Sequence, residues 1–291
     1  MSELELWKSL NDRGFVPGPD ESEEDFYKRI AFNENLEPEL IKHAASDLPF
    51  EVGDQKSKVL LQSGLGRTAE LYGIRPDWVP LFFNNFQLAP WHGGCAWIFQ
   101  LGDDLPTAAF LQLRSRFRAH DTYLGLYHRD ELIAHELSHV GRMMYNEPQF
   151  EEVIAYRSSK NTWRRWFGPI VQSSKESLFF ILVLGLFVIT DAALISVYSP
   201  AGATVLFGFK LFLIALVVLA LGRLTWRQGQ FNRCLKNLSI LYPNPDHLAY
   251  RLTDHEIKLF ASSSSGQIQS YIDRQTTFRW KFLKELARKY P

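Results

Sequence analysis

The chain has 291 residues, 46% hydrophobic and 14% aromatic, which is enough to bury a substantial core and excludes general disorder. Its 32 Lys and Arg balance 32 Asp and Glu, so nothing in the net charge favours nucleic acid as a partner. Two cysteines, Cys95 and Cys234, stand far apart without a CxxC pair, which excludes a disulfide framework and a cysteine-rich zinc knuckle.

The opening residues carry acids and no apolar run, so no cleavable secretory signal is expected. Residues 1–50 read as a helical lead-in: a helix near Leu4–Leu10, a Gly/Pro turn over 14–19, and a helix over Glu23–Asn35 capped by Ser22. Residues 51–165 read as one mixed unit. Between Val59 and Leu88 the pattern is punctuated by Gly64, Gly66, Gly73, Pro76 and Pro80, and Gly64-Leu65-Gly66-Arg67 reads as a turn. Two β-like runs follow, Cys95–Leu101 and Ala108–Phe117, and then an extended piece over Thr122–Tyr127. Next comes a strong helix over Arg129–Tyr145 and another over Pro148–Ser159.

Residues 166–225 read as an interfacial segment and a membrane hairpin. Residues 178–198 and 203–222 are each about 20 residues long and nearly uncharged, the length that crosses about 30 Å of hydrocarbon. Trp163-Arg164-Arg165-Trp166-Phe167 mixes aromatic and basic side chains in the manner of a headgroup anchor. A short connector, Ser199–Gly202, carries no charge, whereas Lys and Arg flank both outer ends, which places both termini in the cytoplasm by the positive-inside rule. The two intramembrane charges, Asp191 and Lys210, fall at equal depth in an antiparallel hairpin and are expected to neutralise each other. Residues 226–291 read as a cytoplasmic helical tail, with a capping box at Thr253 and Glu256 and a last helix over Thr277–Lys289.

The chemistry concentrates in Glu131-Leu-Ile-Ala-His135-Glu136-Leu-Ser-His139, an HExxH motif inside the predicted helix over 129–145. Histidines at i and i+4 share one helical face, so their ring nitrogens converge on one metal, and the intervening Glu136 stands beside it as a base. The next predicted helix carries Phe150-Glu151-Glu152-Val153-Ile154-Ala155-Tyr156, which offers a carboxylate as third ligand. Over Ala108–Ser159 the sequence resembles the gluzincin class of zinc metallopeptidases, thermolysin-like and membrane-embedded, whose third ligand is a downstream helical glutamate. A metzincin pattern is absent, since Arg142 and Tyr145 occupy the places its glycine and third histidine would take.

The resemblance implies an α+β fold with a zincin-like catalytic domain. It also implies Zn2+ held by His135, His139 and Glu152, with Glu151 as the alternative to Glu152. Glu136 would take a proton from a zinc-activated water that attacks a peptide carbonyl, and pass it to the leaving amine. Tyr145, Tyr156 and Arg142 are the candidate oxyanion donors, and the run Ala108–Phe117 is a candidate edge for substrate strand addition. The expected partners are the lipid bilayer and a peptide or membrane-proximal protein substrate. The competing readings are a membrane-anchored binding or scaffold protein with a structural metal or none, and an ion-path subunit built around Asp191 and Lys210.

Overall fold

The computed structural model describes residues 2–43, 58–125, 127–170, 174–196 and 200–287. Ser199 of the hairpin connector, the end of the first apolar run at 197–198, the 50/51 boundary and the last residues of the 277–289 helix lie outside these.

Three helices open the chain, α1 (Glu3–Asp12), α2 (Glu23–Glu34) and α3 (Leu36–His43). Ser2 and Glu5 form a capping box on α1, and Ser22 caps α2 by accepting from the Asp25 N–H. Then comes α4 (Lys58–Tyr72), which replaces the turn expected at Gly64–Arg67. Its glycines act through packing. A Cβ at Gly64 would stand 2.4 Å from Ile133 Cγ2, so Gly64 lets α4 lie close against the helix that carries the histidines.

Strands β1 (Leu81–Phe83), β2 (Gly94–Phe99) and β3 (Ala108–Leu113) form a sheet of order β1-β3-β2. The two β-like runs pair as antiparallel β2 and β3, with Ala96 opposite Leu111, and β1 adds parallel to the far side of β3. β3 is therefore central, and every one of its residues is buried. It has no free edge, so strand addition at Ala108–Phe117 is ruled out; the edge strands are β1 and β2, and β2 is the one that lines the cavity. Phe117 lies beyond the strand in a short 3-10 turn, where it is buried beneath the sheet. A small hairpin, β4 (Thr122–Tyr123) and β5 (Tyr127–His128), leads into α5 (Arg129–Gly141).

α5 ends at Gly141, four residues short of the expected Tyr145, because a turn over 142–145 leads the chain into α6 (Pro148–Ala155). A Cβ at Gly141 would lie 2.2 Å from the Tyr250 hydroxyl, which donates to the Ser138 carbonyl at 2.6 Å. α6 runs on as a 3-10 turn to Ser158, followed by α7 (Thr162–Phe167), α8 (Ser174–Ser196) and α9 (Pro200–Leu238). α8 and α9 are both long and apolar enough to cross a membrane, and their leucines, phenylalanines and valines are largely exposed over 178–189 and 207–219. Among the described residues no ion pair joins Asp191 to Lys210.

α9 does not stop at residue 222. It continues unbroken to Leu238, and its second half packs Phe231, Cys234 and Leu238 into the protein core. Four helices complete the fold: α10 (Pro245–Ala249), α11 (Asp254–Ser262) with the expected Thr253/Glu256 capping box, α12 (Ser265–Arg274) and α13 (Phe278–Ala287). Lead-in and tail share one core, in which Trp7 and Phe26 meet Phe282, and Phe150 of α6 meets Phe231 of α9. A second core lies under the sheet, where Leu111 and Leu113 pack with Ile133 and Leu137 of α5. The helix with the histidines is thus held between two apolar masses.

Candidate metal centre

Helical spacing brings His135 and His139 to one face of α5, with their Nε2 atoms 3.3 Å apart. Glu152 reaches across from α6: its carboxylate oxygens lie 3.5 Å from His135 Nε2 and 3.7 Å from His139 Nε2. One ligand atom from each of the three fits within 4.8 Å of the others. These side chains are 14–21% exposed at the floor of a cavity of about 1050 Å3, so a small ion can reach them.

The neighbouring Glu151 does something else. One oxygen lies 3.0 Å from His139 Nδ1, on the far side of the ring from Glu152, and the other accepts from Arg142 Nε at 2.8 Å. A carboxylate on Nδ1 holds the proton there and leaves Nε2 as a lone-pair donor, which is how metal-binding histidines are oriented. The geometry therefore separates two adjacent glutamates: Glu152 joins the two Nε2 atoms in a group that could hold a metal ion, and Glu151 sits on His139 Nδ1.

Both helices of the site are steadied by the segment after the hairpin. Arg142, fully buried, donates through Nη1 to the carbonyls of Tyr250 and Leu252. The N-terminus of α6 has no cap of its own; the Asp254 carboxylate supplies one, accepting from Gln149 N at 2.8 Å and Phe150 N at 3.1 Å. On the other side Glu131 accepts from Ser159 Oγ, Lys160 N and Arg164 Nη1, which ties α5 to the chain that leads into α7.

Burial and charge act together in the cluster. Burial, with help from His139, holds the His135 pKa well below the usual imidazole range, so this ring is a neutral donor. Burial alone would lower His139 too, but the Glu151 hydrogen bond and the carboxylates of Glu152, Glu151 and Glu136 outweigh it and raise the pKa to about 9. Burial pushes Glu152 up to about 7 against the pull of His139. The crowding of Glu136, Glu151 and Glu152 around His139 thus raises the pKa of the imidazole, while Arg142 holds Glu151 below the usual carboxylate range. The two Nε2 atoms and a carboxylate oxygen of Glu152 form a donor set that could bind a metal ion.

Glu136 lines the same cavity, and its Oε2 accepts from the Ala96 N–H of β2 at 2.8 Å. Burial raises its pKa above the ordinary carboxylate range. Ala96 thereby turns its N–H away from β3, and the two-residue period of a strand directs the outer backbone groups of Gly94, Ala96 and Ile98 along the cleft. Among the residues considered as oxyanion donors, Tyr145 donates to the Arg251 carbonyl in the core and Arg142 is committed to Glu151 and the 250–252 carbonyls. Tyr156 alone packs over the metal site, its ring centroid 4.6 Å from that of His135. Cys95 stands near the cleft, but burial and Glu136 push its thiol up to about 12, far from a reactive thiolate.

Sequence reasoning missed the cleft's outer wall. His92 and Trp91 line it, and so does Arg164, assigned only to a headgroup anchor. The Trp91-His92-Gly93-Gly94 approach to a β-like run was the available signal, since glycines before a strand allow a close backbone approach. No family model, curated protein or solved structure matches the chain.

Proposed function

We propose that the chain is a membrane-anchored zinc-dependent peptidase of the HExxH type, similar in site chemistry to the gluzincins. The observation that carries the proposal is the convergence of His135, His139 and Glu152 beside a separate carboxylate, Glu136, in a cleft bordered by an open strand edge. His135, His139 and Glu152 would hold the metal, which in such sites supplies Lewis acidity and brings the pKa of a coordinated water to about 7.

The remaining work falls to the chain's own groups. The outward N–H and C=O groups of β2 bind an extended peptide by strand addition and align its carbonyl over the floor of the cleft. Glu136, with its raised pKa, accepts the proton of the attacking water and delivers it to the departing amine nitrogen. As that proton is taken, Glu136 exchanges its bond to the Ala96 N–H for one to the substrate water. The Tyr156 hydroxyl donates to the oxygen that becomes negative in the transition state.

Glu136→Gln keeps the shape of the side chain and removes the base. The expected result in purified zinc-loaded protein is unchanged metal content with peptide hydrolysis reduced by about 100-fold or more. Hydrolysis at the wild-type rate would refute the assigned role. Metal in the wild type without cleavage of any peptide would favour a structural metal in a scaffold protein.

A further inference from the structure

The cavity with His135, His139 and Glu152 on its floor extends to the foot of α8, where Arg164, Gly168 and Ser177 share its lining. Gly168 has its own packing reason, since a Cβ there would meet the Tyr156 ring at 2.2 Å. Ser177 follows Glu176, whose carboxylate accepts two hydrogen bonds from Arg223 of α9, at 2.8 and 3.1 Å. This ion pair ties the base of the hairpin together. Immediately after Ser177, Leu178 and Phe179 are 53% and 51% exposed and begin the apolar surface of α8.

An ion pair of this kind stays on the aqueous side of a bilayer, whereas exposed leucine and phenylalanine enter the hydrocarbon. With α8 and α9 spanning, the boundary falls at residues 176–178, within about one helical turn, 5.4 Å, of a residue that lines the cleft. Three exposed tryptophans lie close in the chain to the two ends of the hairpin, Trp163 and Trp166 on α7 and Trp226 three residues beyond Arg223 on α9, and tryptophan is the side chain that collects in the headgroup layer. The cleft therefore opens at the membrane surface and is continuous with the apolar face of the hairpin.

The strand sets a length: β2 has six residues, Gly94–Phe99, and at about 3.3 Å per residue it can pair with an extended peptide over about 20 Å. A peptide seated along β2 can leave the cleft past Ser177 and enter the bilayer beside α8.

We infer that the substrate is the juxtamembrane segment of a second protein anchored in the same bilayer, bound as an extended strand and cut within about ten residues of its membrane-spanning part. The inference rests on the peptidase reading. Water is the co-reactant: the C–N bond breaks, the hydroxyl joins the carbonyl carbon, the proton goes to the nitrogen, and a new carboxylate and a new amine result.

The test uses the full zinc-loaded chain in vesicles with a single-span test protein that carries a long unstructured tail of mixed sequence, and, separately, the same tail as a free peptide. Cut sites are mapped by mass spectrometry. The expected result is cuts in the anchored protein clustered within about ten residues of its span, while the free peptide is cut at matching sequences without that positional bias. Cuts spread evenly along the anchored tail, or confined to its far half, overturn the juxtamembrane assignment and leave the peptidase reading standing. Absence of cleavage in both substrates overturns the two together.

Discussion

Glu256 and Glu152 are both acidic side chains withdrawn from solvent, and they differ in what meets them. Glu256 of α11, 3% exposed, accepts from Arg279 at 2.6 and 3.0 Å, from Trp280 Nε1 at 2.8 Å, from the Tyr271 hydroxyl at 3.2 Å and from the Thr253 N–H at 2.8 Å. Burial would raise its pKa, but Arg279 and these donors hold it below the usual range. Glu152 of α6 has two imidazoles near it, only one of which carries charge, and burial takes its pKa up to about 7. The first carboxylate is fully partnered as folded, and the second belongs to a group that could hold a metal ion. A half-buried acid beside two histidines is a candidate for metal binding, whereas a buried acid held by five hydrogen bonds is a structural joint.

The comparison breaks most visibly on stability. Glu256→Gln leaves Arg279 buried without its counter-charge and is expected to cost about 3–5 kcal/mol, read as a large drop in thermal midpoint in detergent. Glu152→Gln removes an under-compensated charge, so the metal-free variant is expected to melt at or above the wild-type temperature. Equal destabilisation by the two substitutions would show that Glu152 is a structural group. The pH dependence follows the same logic for Glu256. Its pKa is depressed in the folded state, so its contribution is present above the unfolded value, about 4.3, and is lost as pH falls through the folded one. Acid unfolding should therefore be steeper below about pH 4 in the wild type than in Glu256→Gln.

A smaller effect sharpens the distinction between the paired glutamates of α6. Glu151→Gln disturbs the His139 Nδ1 and Arg142 Nε contacts without removing a donor from the metal set, and is expected to weaken zinc affinity by about 10–100-fold while the fold persists. Complete loss of zinc in Glu151→Gln, with binding retained in Glu152→Gln, would reverse the assignment. The smallest expected effect lies furthest from the metal. Asp254→Ala uncaps α6 from the far side of the hairpin and should cost about 1 kcal/mol of stability, with a weaker loss of zinc affinity than Glu151→Gln.

The local parts of this account were legible in the sequence. The i, i+4 histidines, the Ser22 and Thr253 caps, the two β-like runs that become β2 and β3 and the two apolar helices all follow from short-range spacing, and the structure contains them. The long-range parts were not. Gly64 and Gly66 carry the composition of a turn, and only the presence of Ile133 against Gly64 explains why a helix keeps a glycine there. The parallel partner that makes β3 central, Leu81–Phe83, is three residues long and leaves too little pattern to find. Nothing in spacing tells that Asp254 caps a helix at residue 148, or that Tyr250 and Leu252 hold Arg142, across a hairpin of more than 60 residues. Adjacent glutamates are likewise equivalent on paper; a turn of about 100° between neighbouring helical residues sends one to the metal position and the other to the far nitrogen of His139.

The most direct measurement is metal stoichiometry by mass spectrometry on detergent-purified protein, comparing the wild type with His139→Ala and Glu152→Gln. The account predicts about one zinc per chain in the wild type, none in His139→Ala, and weakened binding in a Glu152→Gln protein that remains folded. A wild type that takes up no zinc, even when zinc is added back after purification without chelator, would contradict it.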